Sequence, residues 1–254
     1  MGALRSLLAL VLVGIWFAIP GSPWLRLYVV PMAWLHPHRR VRLASTYMKA
    51  ICHGILGLFE LVGGARFTRV GRLPTQSPIL ILMNHQSLLD ICTVAVMASG
   101  DVPAFVTRAR YSRFVPLVST TARLLDSPFV EPRRDPRAAL RSIETTAREQ
   151  ERSLLIFPEG HRSSDGQPRP FKPGGVQAAL RGRRMPVYLV VTDGFWAGRR
   201  LLDFIFNVHR LRGLSEVYGP FEPPADDADV PAFVQQMHRR LAERLAELRR
   251  GAVA

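Results

Sequence analysis

The fold class of this chain is decided by the stretch ILILMNHQSLLD, residues 79–90. Its first five residues form a continuous apolar run without alternation, which is typical of a strand buried on both faces of a parallel sheet. Residues from Ser87 to Ala98 then repeat apolar side chains at helical spacing. A buried strand that leads through a short polar loop into a helix is the unit from which α/β domains are built.

The same alternation continues along the chain. Further strands are predicted at 65–70, 103–107, 153–157 and 187–191, with strand structure near an edge in 204–218, and helices at 44–62, 137–152 and 173–180. The pattern predicts an α/β fold: a single domain with a largely parallel sheet flanked by helices. We expect three parts: N-terminal membrane-associated helices at 1–62, the α/β domain at 63–222, and a linker with a C-terminal amphipathic helix at 223–254.

The N-terminal residues have the composition of a membrane anchor. Ala3 to Pro20 is almost wholly apolar, residues 20–23 (PGSP) read as a turn, and a second apolar run extends from Trp24 to Leu35. A spanning helix needs about 20 apolar residues. The two runs are too short for two crossings, so we expect a re-entrant hairpin or an in-plane anchor. A cleaved signal peptide and a buried N-terminal helix are the competing interpretations.

Composition narrows the class of partner. The 254 residues are 48% hydrophobic and carry a formal net charge of +14, with a sequence pI of about 11.2. This charge favours anionic surfaces, either lipid headgroups or nucleic acid. Because zinc-finger spacing and RRM-like aromatic signatures are missing, we expect no nucleic acid partner. Cys52 and Cys92 lack metal-site spacing and are interpreted as buried free thiols.

The first candidate site is Asn84 to Asp90, directly after the buried strand. Open α/β sheets place their sites at the carboxyl ends of strands. The start of the following helix can fold Asp90 back beside the imidazole of His85, five positions earlier. A carboxylate there fixes the tautomer of the ring, so that the other ring nitrogen can take a proton from a hydroxyl. A helix cap with a satisfied polar histidine is the alternative.

The second candidate site is FPEGHRS, residues 157–163, which again follows a short buried strand. Gly160 permits a close backbone approach or positive φ. Arg162 offers a fork for a phosphate or a carboxylate. A surface turn with solvated charges is the alternative. Since both stretches follow buried strands, we expect the sheet to bring them to the same edge.

Together these residues resemble the glycerolipid (lysophospholipid) acyltransferase family, which includes the 1-acylglycerol-3-phosphate acyltransferases. Its NHX4D motif corresponds to residues 84–90, and its FPEGTRS motif to residues 157–163 with His161 in place of threonine. Residues 129–134 resemble the second motif of the family, a basic residue after an apolar pair, and we favour Arg133 over Arg134 as that residue. Residues 185–191 resemble the fourth motif, an apolar strand that contains a proline. The likeness covers about 66–191.

The resemblance implies acyl transfer from acyl-CoA or acyl carrier protein to a lysophospholipid hydroxyl, with 1-acylglycerol-3-phosphate as the expected acceptor and phosphatidate as the product. His85 is then the general base and Asp90 its partner, while Glu159, Gly160, Arg162 and Arg133 bind the acceptor. Backbone amides near His85 are expected to stabilise the oxyanion. No cofactor and no metal are expected beyond the thioester co-substrate.

Other functions stay open at this point. His161 motivates a different lysolipid acceptor, such as a lyso-aminolipid. A lipid hydrolase would use Ser87 or Ser163 with His85 and Asp90, although the chain has no G-x-S-x-G elbow. A non-enzymatic membrane-binding protein rests on charge alone. The arginine-rich, lysine-poor composition suggests a GC-rich bacterial source, and therefore an inner-membrane protein with its site on the cytoplasmic side.

Overall fold

The computed structural model describes residues 1–76, 78–112 and 116–251. The last three residues of the predicted C-terminal segment, 252–254, lie outside that description. The helices are α1 (Gly2–Trp16), α2 (Val30–Leu35), α3 (Arg40–Leu61), α4 (Asp90–Met97), α5 (Pro116–Leu124), α6 (Pro136–Glu149), α7 (Pro173–Gly182), α8 (Asp203–Asn207) and α9 (Val230–Gly251). The strands are β1 (Arg66–Val70), β2 (Leu80–Met83), β3 (Ala104–Phe105), β4 (Thr107–Arg108), β5 (Phe129–Val130), β6 (Leu154–Ile156), β7 (Val187–Asp193) and β8 (Arg212–Phe221).

Six strands form the main sheet in the order β1-β8-β7-β2-β6-β3. All neighbouring pairs are parallel except β7 and β8, which run antiparallel. The expected α/β fold with a largely parallel sheet is confirmed. β2 is an interior strand between β6 and β7, which explains why its sequence is apolar without alternation. β4 and β5 form a separate parallel pair that is not part of the six-stranded sheet.

The side chains of β2 divide between two cores, one on each face of the sheet. Leu80 and Leu82 belong to the core covered by α6, α7 and α9. Ile81 and Met83 belong to the core on the opposite face, with residues of α3 and α4. Because successive side chains of a strand point to opposite faces, every position of a doubly covered strand must be apolar.

The N-terminal residues differ from the predicted hairpin. The chain stays helical from Gly2 to Leu35, and the predicted turn at residues 20–23 is wrong. Two π-helical turns, Phe17–Gly21 and Trp24–Val29, accommodate Pro20 and Pro23. In them, bonds such as Ser22 N–H to Phe17 O span five residues, so the N–H groups that proline lacks are not needed.

The reversal of direction comes later, at His36 to Arg39, and α3 then returns along the first helix. The ring of Tyr47 meets Trp24 edge-on at 5.2 Å, and its hydroxyl donates to the Gly21 carbonyl. By length and composition, the 34-residue segment Gly2–Leu35 can cross a membrane. α3 ends as predicted at the glycine pair, where Gly64 adopts a φ of 77°.

Two element boundaries moved for identifiable reasons. α4 begins at Asp90 rather than Ser87, because residues 84–89 are held in a hydrogen-bonded loop. The predicted strand at 204–218 is divided: its first part is α8, and β8 begins only at Arg212. The C-terminal helix α9 matches its prediction and buries Phe233, Met237, Leu241 and Leu245 against the sheet.

Candidate active site

His85 and Asp90 lie against each other at the carboxyl end of β2. The imidazole Nδ1 is 2.7 Å from Asp90 Oδ2, and Asp90 is completely buried, whereas 18% of the His85 side chain is exposed. The ring of His85 stacks on Phe157, with the ring centroids 4.1 Å apart. The carboxylate favours a proton on Nδ1, which leaves Nε2 as the nitrogen that can accept one.

Asp90 also organises the loop that carries the histidine. Its Oδ2 accepts hydrogen bonds from the backbone N–H groups of Gln86 at 2.7 Å and Ser87 at 2.9 Å. The N–H of His85 itself donates to Glu159 Oε1 at 2.9 Å. All three amides are therefore already occupied. The expectation that amides near His85 stabilise an oxyanion does not hold for these three, since none points a free N–H at a substrate.

Asn84 and Gln86 tie this loop to the end of β7. The side-chain amide of Asn84 donates from Nδ2 to the Thr192 carbonyl at 2.8 Å and accepts the Thr192 N–H on Oδ1 at 2.9 Å. Gln86 is fully buried, donates to the Thr192 carbonyl and accepts from the Phe195 N–H. These contacts extend the β2–β7 pairing beyond the strand and hold the loop in register.

Glu159 is buried and contacts backbone, not solvent. It is 2% exposed; its Oε1 accepts the His85 N–H and its Oε2 accepts the Arg169 N–H at 3.1 Å. Burial raises the pKa of its carboxyl to about 7, although both amide hydrogen bonds favour the ionised form. In this conformation Glu159 organises the two loops, and the acceptor-binding role suggested by the resemblance has no exposed carboxylate to act through.

Two cationic side chains, those of Arg108 and Lys172, lie beside Gly160. This glycine has a φ of 73°, and its carbonyl accepts a hydrogen bond from Arg108 Nη2 at 3.1 Å. Lys172 Nζ lies 3.7 Å from the position that a Cβ on Gly160 would occupy. The pKa of His161, which is largely exposed, is lowered first by the desolvation of its ring. The nearby positive charges lower it further: Arg108, Lys172, Arg133 and Arg169. We call Arg108, Arg133, His161, Arg169 and Lys172 the basic cluster.

The two arginines predicted to bind the acceptor have different surroundings. Arg133 is exposed and belongs to the basic cluster. Arg162 is half-buried, donates from Nη1 to the Arg199 carbonyl at 2.5 Å, and lies 3.4 Å from the Tyr111 hydroxyl. The charge of Arg133 therefore acts on His161, whereas Arg162 is engaged with the backbone of a neighbouring segment.

Arg108 was missed from the sequence. It forms β4 with Thr107, and β4 pairs with β5, so that the stretch 129–134 is placed beside it. The available signal was a basic residue directly after the predicted strand 103–107, at the same sheet edge as both motifs. Pairing between two-residue strands has no sequence pattern of its own, because the two residues are too few to show a period.

The serines that a hydrolase would need are unsuited to nucleophilic attack. Ser87 is fully buried, and its hydroxyl donates to the Gly198 carbonyl at 2.5 Å. Ser163 is 1% exposed and donates to Asp165. Among the described residues neither hydroxyl hydrogen-bonds to the His85 ring, so a Ser-His-Asp triad is not formed. Within residues 1–76, 78–112 and 116–251, no three His, Cys, Asp or Glu side chains converge as metal ligands do.

Known proteins match this chain in sequence and in fold. A 1-acyl-sn-glycerol-3-phosphate acyltransferase from Limnanthes douglasii is 29% identical over 185 residues, which is 72% of this chain and 63% of the relative. A protein of the same name from Cocos nucifera is 26% identical over 242 residues, 91% of this chain and 72% of the relative. The present chain thus spans a little under two thirds of the Limnanthes protein.

The fold matches the crystal structure of the 1-acyl-sn-glycerophosphate (LPA) acyltransferase PlsC from Thermotoga maritima. The TM-score is 0.72 at 19% identity, over 97% of this chain and 98% of that chain. The family model described as Acyltransferase matches residues 65–192, about half of the chain, and this range contains both motifs. The resemblance inferred from the motifs is confirmed, and the chain belongs to the acyltransferase family.

Proposed function

We propose that this protein transfers a fatty acyl group from acyl-CoA or acyl carrier protein to the hydroxyl of 1-acylglycerol-3-phosphate, giving phosphatidate. The observation that carries the proposal is the 2.7 Å contact between His85 Nδ1 and the buried Asp90 carboxylate. It orients a partly exposed imidazole at the end of a parallel strand, where α/β folds place their chemistry. The names of the relatives support the acceptor.

The reaction needs one proton relay and no covalent enzyme intermediate. His85 Nε2 takes the hydroxyl proton of the acceptor as its oxygen attacks the thioester carbonyl carbon. The tetrahedral intermediate then collapses, the carbon–sulfur bond breaks, and the imidazolium returns the proton to the departing thiolate. Asp90 stabilises the imidazolium between these steps. General-base assistance of this kind is typically worth about 10²–10⁴-fold in rate.

The basic cluster is proposed to bind the phosphate of the acceptor. Arg108 and Lys172 lie beside Gly160, and the charges of Arg133 and Arg169 reach the neighbouring His161. Gly160 follows the buried Glu159, which accepts the His85 N–H. Arginine and lysine side chains bind phosphate through charge-assisted hydrogen bonds. This density of positive charge favours a phosphate-bearing acceptor over a lyso-aminolipid without phosphate, the other acceptor that His161 suggested.

Association with a membrane belongs to the same proposal. Substrate and product are lipids, and an enzyme held at the bilayer meets them without extracting them. The segment Gly2–Leu35 supplies a helix of sufficient length and apolar character. The bacterial inner membrane and its cytoplasmic side stay proposals, based on composition.

The test is acyl transfer from labelled acyl-CoA, and in parallel from acyl carrier protein, to lysophosphatidate in membranes that contain the full chain. We expect His85→Ala to lower the rate by about 10²-fold or more, because general-base assistance is lost. His53→Ala is the matched control, since His53 is an exposed histidine on α3 and its ring Nδ1 hydrogen-bonds to the Lys49 carbonyl of the same helix. Its rate should equal that of the unaltered protein.

Full activity in His85→Ala would overturn the catalytic assignment. Activity of the unaltered protein with another lysophospholipid, but none with lysophosphatidate, would reject the proposed acceptor and keep the reaction class. Fatty acid release without acyl transfer would instead support the hydrolase alternative.

A further inference from the structure

A second group of exposed apolar side chains lies far along the chain from the N-terminal helix. Trp196, Leu201, Leu202 and Phe206 are 45%, 62%, 71% and 62% exposed. They belong to the segment that connects β7 to β8, and we call them the connector patch. Large apolar side chains that remain exposed as a group mark an interaction surface on most proteins.

The segment that carries the connector patch is anchored by its buried side chains. Phe195, Phe204 and Val208 of the same segment are buried, and the Phe204 ring lies 5.4 Å from that of Phe59. The Arg200 N–H donates to Asp203 Oδ2 at 2.7 Å. The exposed side chains therefore stand on an ordered support, and their exposure does not come from an unpacked loop.

The connector patch adjoins the candidate membrane helix. The Ser6 hydroxyl of α1 lies 3.0 Å from His209 Nδ1, and the His209 N–H donates to the same hydroxyl. Phe204 and Val208 pack in one hydrophobic core with Ala9 and Val13 of α1. The segment that carries the connector patch is therefore packed directly against the N-terminal helix.

The charge of this segment suits an anionic bilayer. Residues 195–210 contain three arginines, Arg199, Arg200 and Arg210, against the single acidic residue Asp203. Arginine stems lie along apolar surface while their charged ends reach the headgroups, and tryptophan prefers the same depth. A soluble protein partner would explain the apolar side chains, but it would not explain why their segment packs against a candidate membrane helix.

The connector patch is also tied directly to both motif loops. The Gly198 carbonyl accepts the Ser87 hydroxyl at 2.5 Å, and the Phe195 N–H donates to Gln86 at 3.1 Å. The Arg199 carbonyl accepts Arg162 Nη1. Backbone groups of the connector segment thus hydrogen-bond to the loop of His85 and to the loop of Glu159.

We propose that the connector patch inserts into the headgroup region of an anionic bilayer, as a second membrane contact beside the N-terminal helix. Its insertion sets the height of His85 at the membrane surface, through the contacts of Gly198 and Arg199. The inference deepens the proposed function, because a lysolipid acceptor in that leaflet reaches the site without leaving the membrane.

The first experiment measures depth without using activity. The full chain, with Trp16, Trp24 and Trp34 changed to Phe, keeps Trp196 as its single tryptophan. It is reconstituted in phosphatidylglycerol–phosphatidylcholine vesicles that contain lipids brominated at different depths of the acyl chain. We expect quenching of Trp196, strongest for bromines nearest the headgroup, together with poor quenching by aqueous acrylamide.

Quenching by acrylamide but by none of the brominated lipids would overturn the proposal, because Trp196 would then face water. Protection from both quenchers would overturn it as well, since a second copy of the chain or another protein would cover the patch. Because the N-terminal helix is the proposed anchor on the vesicle, the result reports on the connector patch.

The second experiment separates this inference from the proposed function. Leu201→Ser/Leu202→Ser is compared with Val70→Ser/Leu140→Ser, a control at apolar positions that are 44% and 38% exposed elsewhere. We expect kcat/KM for vesicle-bound lysophosphatidate to fall about tenfold or more in the first variant only, because two leucines no longer enter the bilayer. The rate with a short-chain, water-soluble acceptor should be unchanged.

An equal loss with both acceptors, or in both variants, would contradict insertion. If even the unaltered protein fails to acylate lysophosphatidate, the proposed function fails, while the Trp196 measurement still decides whether the connector patch enters the membrane.

Discussion

At the scale of single residues, two buried carboxylates determine where the His85 imidazole lies. Asp90 contacts the His85 ring, and Glu159 accepts the N–H of the His85 backbone. The same Asp90 oxygen accepts the amides of Gln86 and Ser87, so that the loop is wound around one carboxylate. A residue that orients a general base needs this kind of support, because small displacements of the reacting atoms are costly.

The buried carboxyl of Glu159 should make the free energy of unfolding depend on pH. Burial raises the pKa of its carboxyl from 4.5 to about 7 in the folded protein. Between these values the folded state binds a proton that the unfolded state has released, so the free energy of unfolding falls as pH rises from about 4.5 to about 7. The loss amounts to roughly 3 kcal/mol, since each pKa unit is worth about 1.4 kcal/mol.

Glu159→Gln should therefore remove about 3 kcal/mol of this pH dependence, measured by denaturant unfolding in detergent between pH 4.5 and 7.5. Glu149→Gln is the control, because Glu149 is an exposed carboxylate at the end of α6. Identical pH profiles for the unaltered protein and Glu159→Gln would show that this carboxyl titrates normally in the folded state.

At the scale of elements, the last turn of α9 is attached to the loop of His85. Arg249 donates from Nε and Nη2 to the two oxygens of Asp193 at 2.8 Å, and Asp193 in turn accepts from Gln86. Arg249 Nη2 also donates to the Gly166 carbonyl at 2.9 Å. One arginine of α9 thus links the C-terminal helix to the loop of His85.

Arg249→Met should lower the free energy of unfolding by about 1–3 kcal/mol, because it leaves the half-buried Asp193 carboxylate without its main partner. Arg249→Lys should recover only part of the loss, because the ammonium keeps the positive charge but cannot reproduce the two-point contact. Arg239→Met, at an exposed position of the same helix, should change stability by less than about 0.5 kcal/mol. Equal midpoints of denaturation for Arg249→Met and Arg239→Met would refute the role of the link.

At the scale of the whole molecule, the apolar surface is concentrated at one end of the chain and at the segment that packs against it. The helix Gly2–Leu35 has 34 residues, so it is about 50 Å long, which exceeds the roughly 30 Å of a bilayer core. Leu4, Leu8 and Val11 on this helix are 71%, 50% and 50% exposed. Contact with lipid would remove this apolar surface from water.

We therefore expect the protein to stay in the membrane pellet after an alkaline carbonate wash. Leu4→Ser/Leu8→Ser/Val11→Ser should move most of it to the supernatant, because each apolar side chain contributes about 1.5–3 kcal/mol when it leaves water. The substitutions lie at exposed positions, so the fold should be retained, as circular dichroism can verify. Release of the unaltered protein by carbonate would contradict a membrane-embedded helix.

The α/β class, the interior position of β2 and the pair His85–Asp90 could all be predicted from the sequence. Each of these depends on local patterns: an unbroken apolar run, a change to helical spacing, and a spacing of five residues at the start of a helix. The same reasoning placed a turn at Pro20 and failed, because π-helical turns absorb prolines without breaking the helix.

The partners of Glu159, Arg162 and Arg249, and the membership of Arg108 in the basic cluster, could not be predicted and depend on the folded chain. All four contacts join residues far apart in the chain, and a charged side chain has the same sequence signature whether it faces solvent, substrate or backbone. The parallel strands bring those distant loops to one edge of the sheet, and packing on both faces then determines which side chains are buried there and which remain free to bind.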